Sequence, residues 1–168
     1  CGKTRDPKKA CPDCGMTEAE TLAFLRIDDA KVRTLENAEA AFDQGLFRHG
    51  FAIVDSLLRR APNVALWKAK GTQLQILKLP VAAAHAYEEA LAIKPDPIVE
   101  IALAVARSDA GDTAAAEAIY DKLVDHDDAE VSAVAHANRG NLHEAKDDVD
   151  SAKRDYEAAI EREPGRIA

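Results

Sequence analysis

Apolar residues recur at helical intervals from the first third of the chain onward. Leu22, Leu25, Val32, Leu35, Ala38 and Phe42 keep the spacing of one helix face, with no glycine or proline before Gly45. Thr17 and Glu20 have the capping-box spacing, so a helix is expected to begin near Glu18, either running on as one long helix or breaking near Asp28-Asp29. Between Val64 and Pro97 the pattern becomes more specific, with Trp67, Gly71, Ala83, Tyr87, Ala90 and Pro95 in that order. Gly71 and Ala83 are small where two helix backbones must approach, and Trp67 and Tyr87 fill the space beside them. Pro95 lacks the N–H a helix would need. This stretch predicts two antiparallel helices in tight contact.

The same order returns along the chain. Ala38 and Gly50 take the small positions before it, with Gly45 at the internal turn, Val54 and Leu57 in place of the tyrosine and alanine, and Pro62 at the end. After it come Ala104 and Ala116, with a turn at Gly111-Asp112 and with Tyr120 and Leu123 in the second helix. Gly140, Ala152, Tyr156, Ala159 and Pro164 form the last set, reached through a longer connection from Asp125 to Glu130. Gly50, Ala83 and Ala116 recur at one constant interval, the mark of a repeat architecture.

These residues resemble the signature of the tetratricopeptide repeat (TPR). The resemblance implies an all-α fold, a right-handed α-solenoid of about four helical hairpins with an N-terminal extension. Residues 1–16 would be the extension and 17–168 the repeat domain, with approximate repeats at 31–63, 64–96, 97–130 and 133–166. In such arrays each repeat touches only its neighbours, so the core is distributed. The first helix of each hairpin lines a concave groove, which nominates Lys68, Thr72 and Gln75, then Ile98, Ile101 and Val105, then Asn138 and Asn141. An apolar centre with polar edges suits an extended or helical peptide held by side-chain amides. The alternative is that these residues pack against the chain's own N-terminal helix. The basic and asparagine set with which chaperone-binding TPR proteins clamp a terminal carboxylate is not reproduced.

Composition narrows the function. The formal net charge of -8 argues against a nucleic-acid partner, because phosphate binding needs a clustered basic surface. Lys3, Arg5, Lys8 and Lys9 do cluster, as a solvated tail or as a tether at an anionic membrane. Cys1-Gly2 resembles the start of a mature bacterial lipoprotein, which implies lipidation of Cys1, a membrane anchor and, with no aspartate after the cysteine, the outer membrane on its periplasmic or cell-surface face. The other origin of this first residue is trimming, and the other location is cytoplasmic.

Cys11-Pro12-Asp13-Cys14-Gly15 can close a small disulfide or supply half of a zinc site. The disulfide suits an oxidising periplasm. Zinc at Cys11 and Cys14 lacks ligands unless a further knuckle or a second chain supplies them, and that reading belongs to a cytoplasmic zinc-ribbon adaptor. Reversible thiol exchange is a third reading. No other cofactor is implied. His136 and His143 are two helical turns apart and read as surface or groove residues, and no catalytic constellation emerges.

The expectation is therefore a non-enzymatic interaction scaffold, a lipid-anchored accessory subunit of an envelope complex. It has one further candidate contact, with a partner or a second copy, at the last hairpin near Tyr156 and Ile160.

Overall fold

Eight α-helices and no strand make up the described residues, 34–162, of the computed structural model. They are α1 (Leu35–Asp43), α2 (Phe47–Arg60), α3 (Val64–Ile76), α4 (Pro80–Ile93), α5 (Pro97–Asp109), α6 (Thr113–Leu123), α7 (Ala129–Ala145) and α8 (Val149–Arg162). The helix predicted from Glu18, the extension 1–16 and Pro164 lie outside the described residues. The chain divides between Pro62 and Asn63 into two units. The described part of the first is the α1–α2 hairpin, and that of the second is the three hairpins α3–α4, α5–α6 and α7–α8.

Short polar residues start most of these helices. Thr34, Asn63, Asp96, Asp112, Asp128 and Asp148 each accept a hydrogen bond from a backbone N–H in the first turn that follows. Helix α4 starts on Pro80, whose missing N–H costs nothing in a first turn. The longer connection expected from Asp125 to Glu130 is partly helical, because Asp128 caps α7 and starts it at Ala129.

All four hairpins turn in the same way. Leu46, Leu79, Asp112 and Asp148 each donate a backbone N–H to a carbonyl five residues back, and the residue before each donates to one three residues back. This is the Schellman arrangement, which needs one left-handed residue. Gly45 (φ 73°) and Gly111 (φ 87°) supply it in two hairpins, whereas Lys78 (φ 57°) and Asp147 (φ 60°) adopt it in the others.

Within three of the hairpins an aromatic ring lies directly on a glycine. A Cβ on Gly71 would stand 2.6 Å from the Tyr87 ring, and one on Gly140 would stand 2.7 Å from Tyr156. The first hairpin exchanges the roles. Its glycine, Gly50, is in the second helix and would meet the ring of Phe42 at 2.4 Å. Val54, expected to stand in for the tyrosine, is buried, and Leu57 is half-buried.

The core of the second unit is distributed over its junctions. One cluster joins Ala83, Tyr87 and Ala90 of α4 to Val99 and Leu103 of α5, with Trp67 packed beside it. The next joins Ala104, Ala116 and Tyr120 to Val131, Ala135 and Leu142 of α7. Ion pairs seal the same junctions. Glu88 meets Arg107 across α4 and α5, while Glu117 meets Lys146 and Asp121 meets Arg139 across α6 and α7.

His136 and His143 are neither surface nor groove residues, because both approach Asp155 of α8, a buried carboxylate. His136 Nδ1 donates to Oδ1 at 2.9 Å, His143 Nε2 lies 3.5 Å from Oδ2, and Arg139 donates through Nε at 2.9 Å and Nη2 at 2.6 Å. Burial would raise the Asp155 carboxyl, but the hydrogen bonds from Arg139 and His136 outweigh it and hold the group below the usual carboxylate range. His49 of α2 contrasts with them. Its Nδ1 is buried without a hydrogen-bond partner among the described residues, and burial lowers its pKa.

A carboxyl depressed in the folded state stabilises the protein above its unfolded pKa, and that contribution is lost as pH falls through the lower folded value. Asp155→Asn is expected to cost about 2–3 kcal/mol at pH 7, because it removes the buried one of the two carboxylates that pair with Arg139 and leaves only the exposed Asp121. Urea unfolding should show the gap between variant and wild type closing below about pH 4. A gap of constant size down to acid pH would contradict this.

Candidate protein-binding face

The first helices of the three hairpins in the second unit lie side by side, α3 against α5 and α5 against α7. The residues nominated from the sequence form a stripe on each. Lys68, Thr72 and Gln75 follow one face of α3; Ile98, Ile101 and Val105 follow one face of α5; Asn138 and Asn141 lie one turn apart on α7. Gln75 and Asp109 line a common cleft with Lys78 and Pro80, so the C-terminal ends of α3 and α5 open on the same side.

Lys68, Thr72 and Asn141 are exposed, while Gln75 and Asn138 are half-buried. Ile98 is 50% exposed, and Ile101 and Val105 are half-buried. Ile101 rests on the α5–α6–α7 core cluster with part of its surface left open. The centre of the face is thus an apolar stripe on α5, anchored from beneath.

The polar edges are held by the same tyrosines that lie on the glycines. Tyr87 donates its hydroxyl hydrogen to Gln75 Oε1 at 2.5 Å, and Thr72 Oγ1 lies 3.4 Å from the tyrosine hydroxyl oxygen. Tyr156 repeats this with Asn141 Oδ1 and Glu144 Oε2, both at 2.8 Å. In each hairpin the acceptors and neighbours are the first and fourth residues after the glycine, so ring-on-glycine packing delivers the hydroxyl to a fixed place on the face. Burial raises the Tyr87 pKa against the opposing hydrogen bond with Thr72. Burial and the Glu144 carboxylate raise that of Tyr156.

The middle hairpin departs from this rule. Ala104 replaces the glycine and Val105 follows it, so the position that carries Thr72 and Asn141 elsewhere is apolar. Tyr120 is 1% exposed there, and burial together with the charge of Asp109 raises its hydroxyl. With Ile98 and Ile101 before it, Val105 makes the face polar, apolar and polar across its three helices.

Two residues escaped the sequence reading. Ile76, 58% exposed, continues the α3 stripe one turn beyond Thr72 and was legible from that spacing. Glu144 is the fourth residue after Gly140, the position that Gln75 holds after Gly71. Cys1, Cys11 and Cys14 lie outside the described residues. Among the described residues no group of three histidine, cysteine, aspartate or glutamate side chains could hold a metal ion, and no helix is long and apolar enough to cross a membrane.

Residues 133–166 match the family model of the tetratricopeptide repeat. No curated protein matches the chain in sequence. Among solved structures, a crystal structure of MamA is 19% identical, covers 88% of this chain and 86% of its own, and superposes with a TM-score of 0.71. MamA from Desulfovibrio magneticus RS-1, residues 41 to the end, is 21% identical with 90% and 84% covered and a TM-score of 0.71. Identity this low speaks for the fold alone, and the family match covers residues 133–166. The stretch 133–166 matches the tetratricopeptide repeat, and the described residues take an all-helical tetratricopeptide-repeat fold like that of MamA.

Proposed function

We propose that this chain is a non-enzymatic scaffold that binds a protein segment across α3, α5 and α7. A TPR fold supports protein–protein interaction in general. The observation that carries the specific reading is the half-exposed stripe Ile98, Ile101 and Val105, flanked by the hydroxyl and amide groups of Thr72, Gln75 and Asn141. An extended or helical segment with an apolar anchor would bury that stripe, and the tyrosine-held amides would meet its backbone or polar side chains. Gln75 keeps its N–H groups for such a ligand, because Tyr87 occupies only its oxygen.

Selection of a random peptide library on the immobilised full chain tests this. Enriched peptides should carry an apolar anchor, and Ile98→Asp and Val105→Asp should each weaken their binding about tenfold, equivalent to 1.4 kcal/mol, while helix content is unchanged. Peptides that bind both variants as tightly as the wild type would overturn the assignment.

The finer part of the proposal is location. Lipidation of Cys1 and a tether through Lys3–Ala10 would hold the scaffold at the outer membrane as an accessory subunit of an envelope complex, with the Cys11–Cys14 pair closed as a disulfide. Intact mass of the natively expressed protein should then show acyl chains on Cys1 and membrane sedimentation. An unacylated protein that stays in the supernatant would contradict it.

A further inference from the structure

At the two interior junctions of the second unit, the second helix of one hairpin is covered by the first helix of the next, α4 by α5 and α6 by α7. The tyrosines on those covered helices, Tyr87 and Tyr120, are 1% exposed. Tyr156 holds the same repeat position on α8 and is only half-buried, although its ring rests on Gly140 as Tyr87 rests on Gly71. Ile160, 45% exposed, stands where Leu91 and Val124 pack into the junction clusters. Helix α8 therefore presents a junction face, made by the same repeat positions that are covered elsewhere.

The charges on that face identify what fits it. Glu88 and Asp121 share one repeat position, and each pairs across its junction with an arginine, Arg107 or Arg139. Glu157 holds that position on α8 and is paired with Lys153 of its own helix, 3.8 Å away, with both side chains largely exposed. Lys153 in turn holds the position of Ala84, which is buried, and of Glu117, which pairs across its junction with Lys146. An exposed pair of this kind within one helix contributes little and is readily exchanged. Val149, Lys153, Tyr156 and Ile160 run along one stripe, with the base one turn before the acid. A helix laid antiparallel on the stripe must bring an acid to Lys153 and a base to Glu157.

Helix α8 itself meets that requirement. A two-fold axis perpendicular to the helix, running between the two copies at the level of Asp155, places Lys153 of each copy opposite Glu157 of the other and brings Ile160 beside the other copy's Val149. It also sets the two Tyr156 rings together at the centre. We propose that the chain forms a two-fold homodimer through antiparallel α8 helices, in which two intermolecular Lys153–Glu157 pairs replace the two intrahelical ones. The interface is isologous, so it closes at two copies and leaves the α3–α5–α7 face to other partners.

Sedimentation equilibrium of the full chain over a hundredfold concentration range tests this. The mass should rise to twice that of the 18.1 kDa chain. Lys153→Glu and Glu157→Lys should each weaken self-association about tenfold, because each turns two attractions into repulsions. The double exchange Lys153→Glu/Glu157→Lys should restore it, and mixing the two single variants should yield the mixed dimer in preference to either parent. A wild type that stays monomeric throughout would overturn the proposal, as would a dimer indifferent to these charges, since another occupant or another face is then at work.

Discussion

In three of the hairpins an aromatic ring packs against a helix backbone that has no side chain at that point. Tyr87 on Gly71, Tyr156 on Gly140 and Phe42 on Gly50 leave no room for a methyl group, and the ring fixes how near and at what height the two helices meet. The four turns, with their shared pairs of backbone hydrogen bonds, hold the helices in register but cannot set that spacing alone. In the second unit the polar edges of the candidate binding face follow from where those rings end. The hydroxyls of Tyr87 and Tyr156 emerge beside the first helix of their hairpins and orient Gln75 and Asn141.

The middle hairpin shows what changes when this contact is altered. With Ala104 in place of glycine and Val105 after it, the hairpin keeps a buried tyrosine but offers an apolar surface between two polar ones. The gradient that makes the face suitable for an apolar anchor with hydrogen-bonding flanks comes from Ile98, Ile101 and Val105 of this one repeat. Stability is supplied elsewhere, in the junction clusters and in the ion pairs across them. The buried Asp155 ties α7 to α8, and Arg139 continues that tie to Asp121 of α6. This division lets the exposed face vary without disturbing the core.

Much of the fold was legible because glycine, tyrosine and proline carry their structural meaning in the letter itself. Gly71 with Tyr87, and Gly140 with Tyr156, are such cases. The turns at Lys78 and Asp147 were not, since neither residue advertises a left-handed conformation and only the hydrogen bonds around them impose it. The exchange of ring and glycine between Phe42 and Gly50 was hidden because the repeat pattern places the aromatic in the second helix. The histidines were misjudged for a related reason. Spacing along α7 separates His136 from His143, but Asp155 on the neighbouring helix lies within reach of both. Its signal was a charge at the repeat position held by Ala86 and Ile119 elsewhere. The binding stripes were readable from helical periodicity, whereas the tyrosine bonds that orient their polar members depend on a contact between helices.

The Tyr87 ring and the missing Cβ of Gly71 act as one unit, and a double-mutant cycle at positions 71 and 87 measures that coupling. Gly71→Ala in the wild-type background should destabilise the protein by about 1–3 kcal/mol, because the Tyr87 ring is 1% exposed and has nowhere to yield. In a Tyr87→Leu background the same change should be neutral or stabilising, since the new methyl finds space and alanine favours a helix over glycine by about 1 kcal/mol. A coupling energy above about 1 kcal/mol is the predicted result. Additive effects at the two positions would contradict the claim that this contact sets the hairpin.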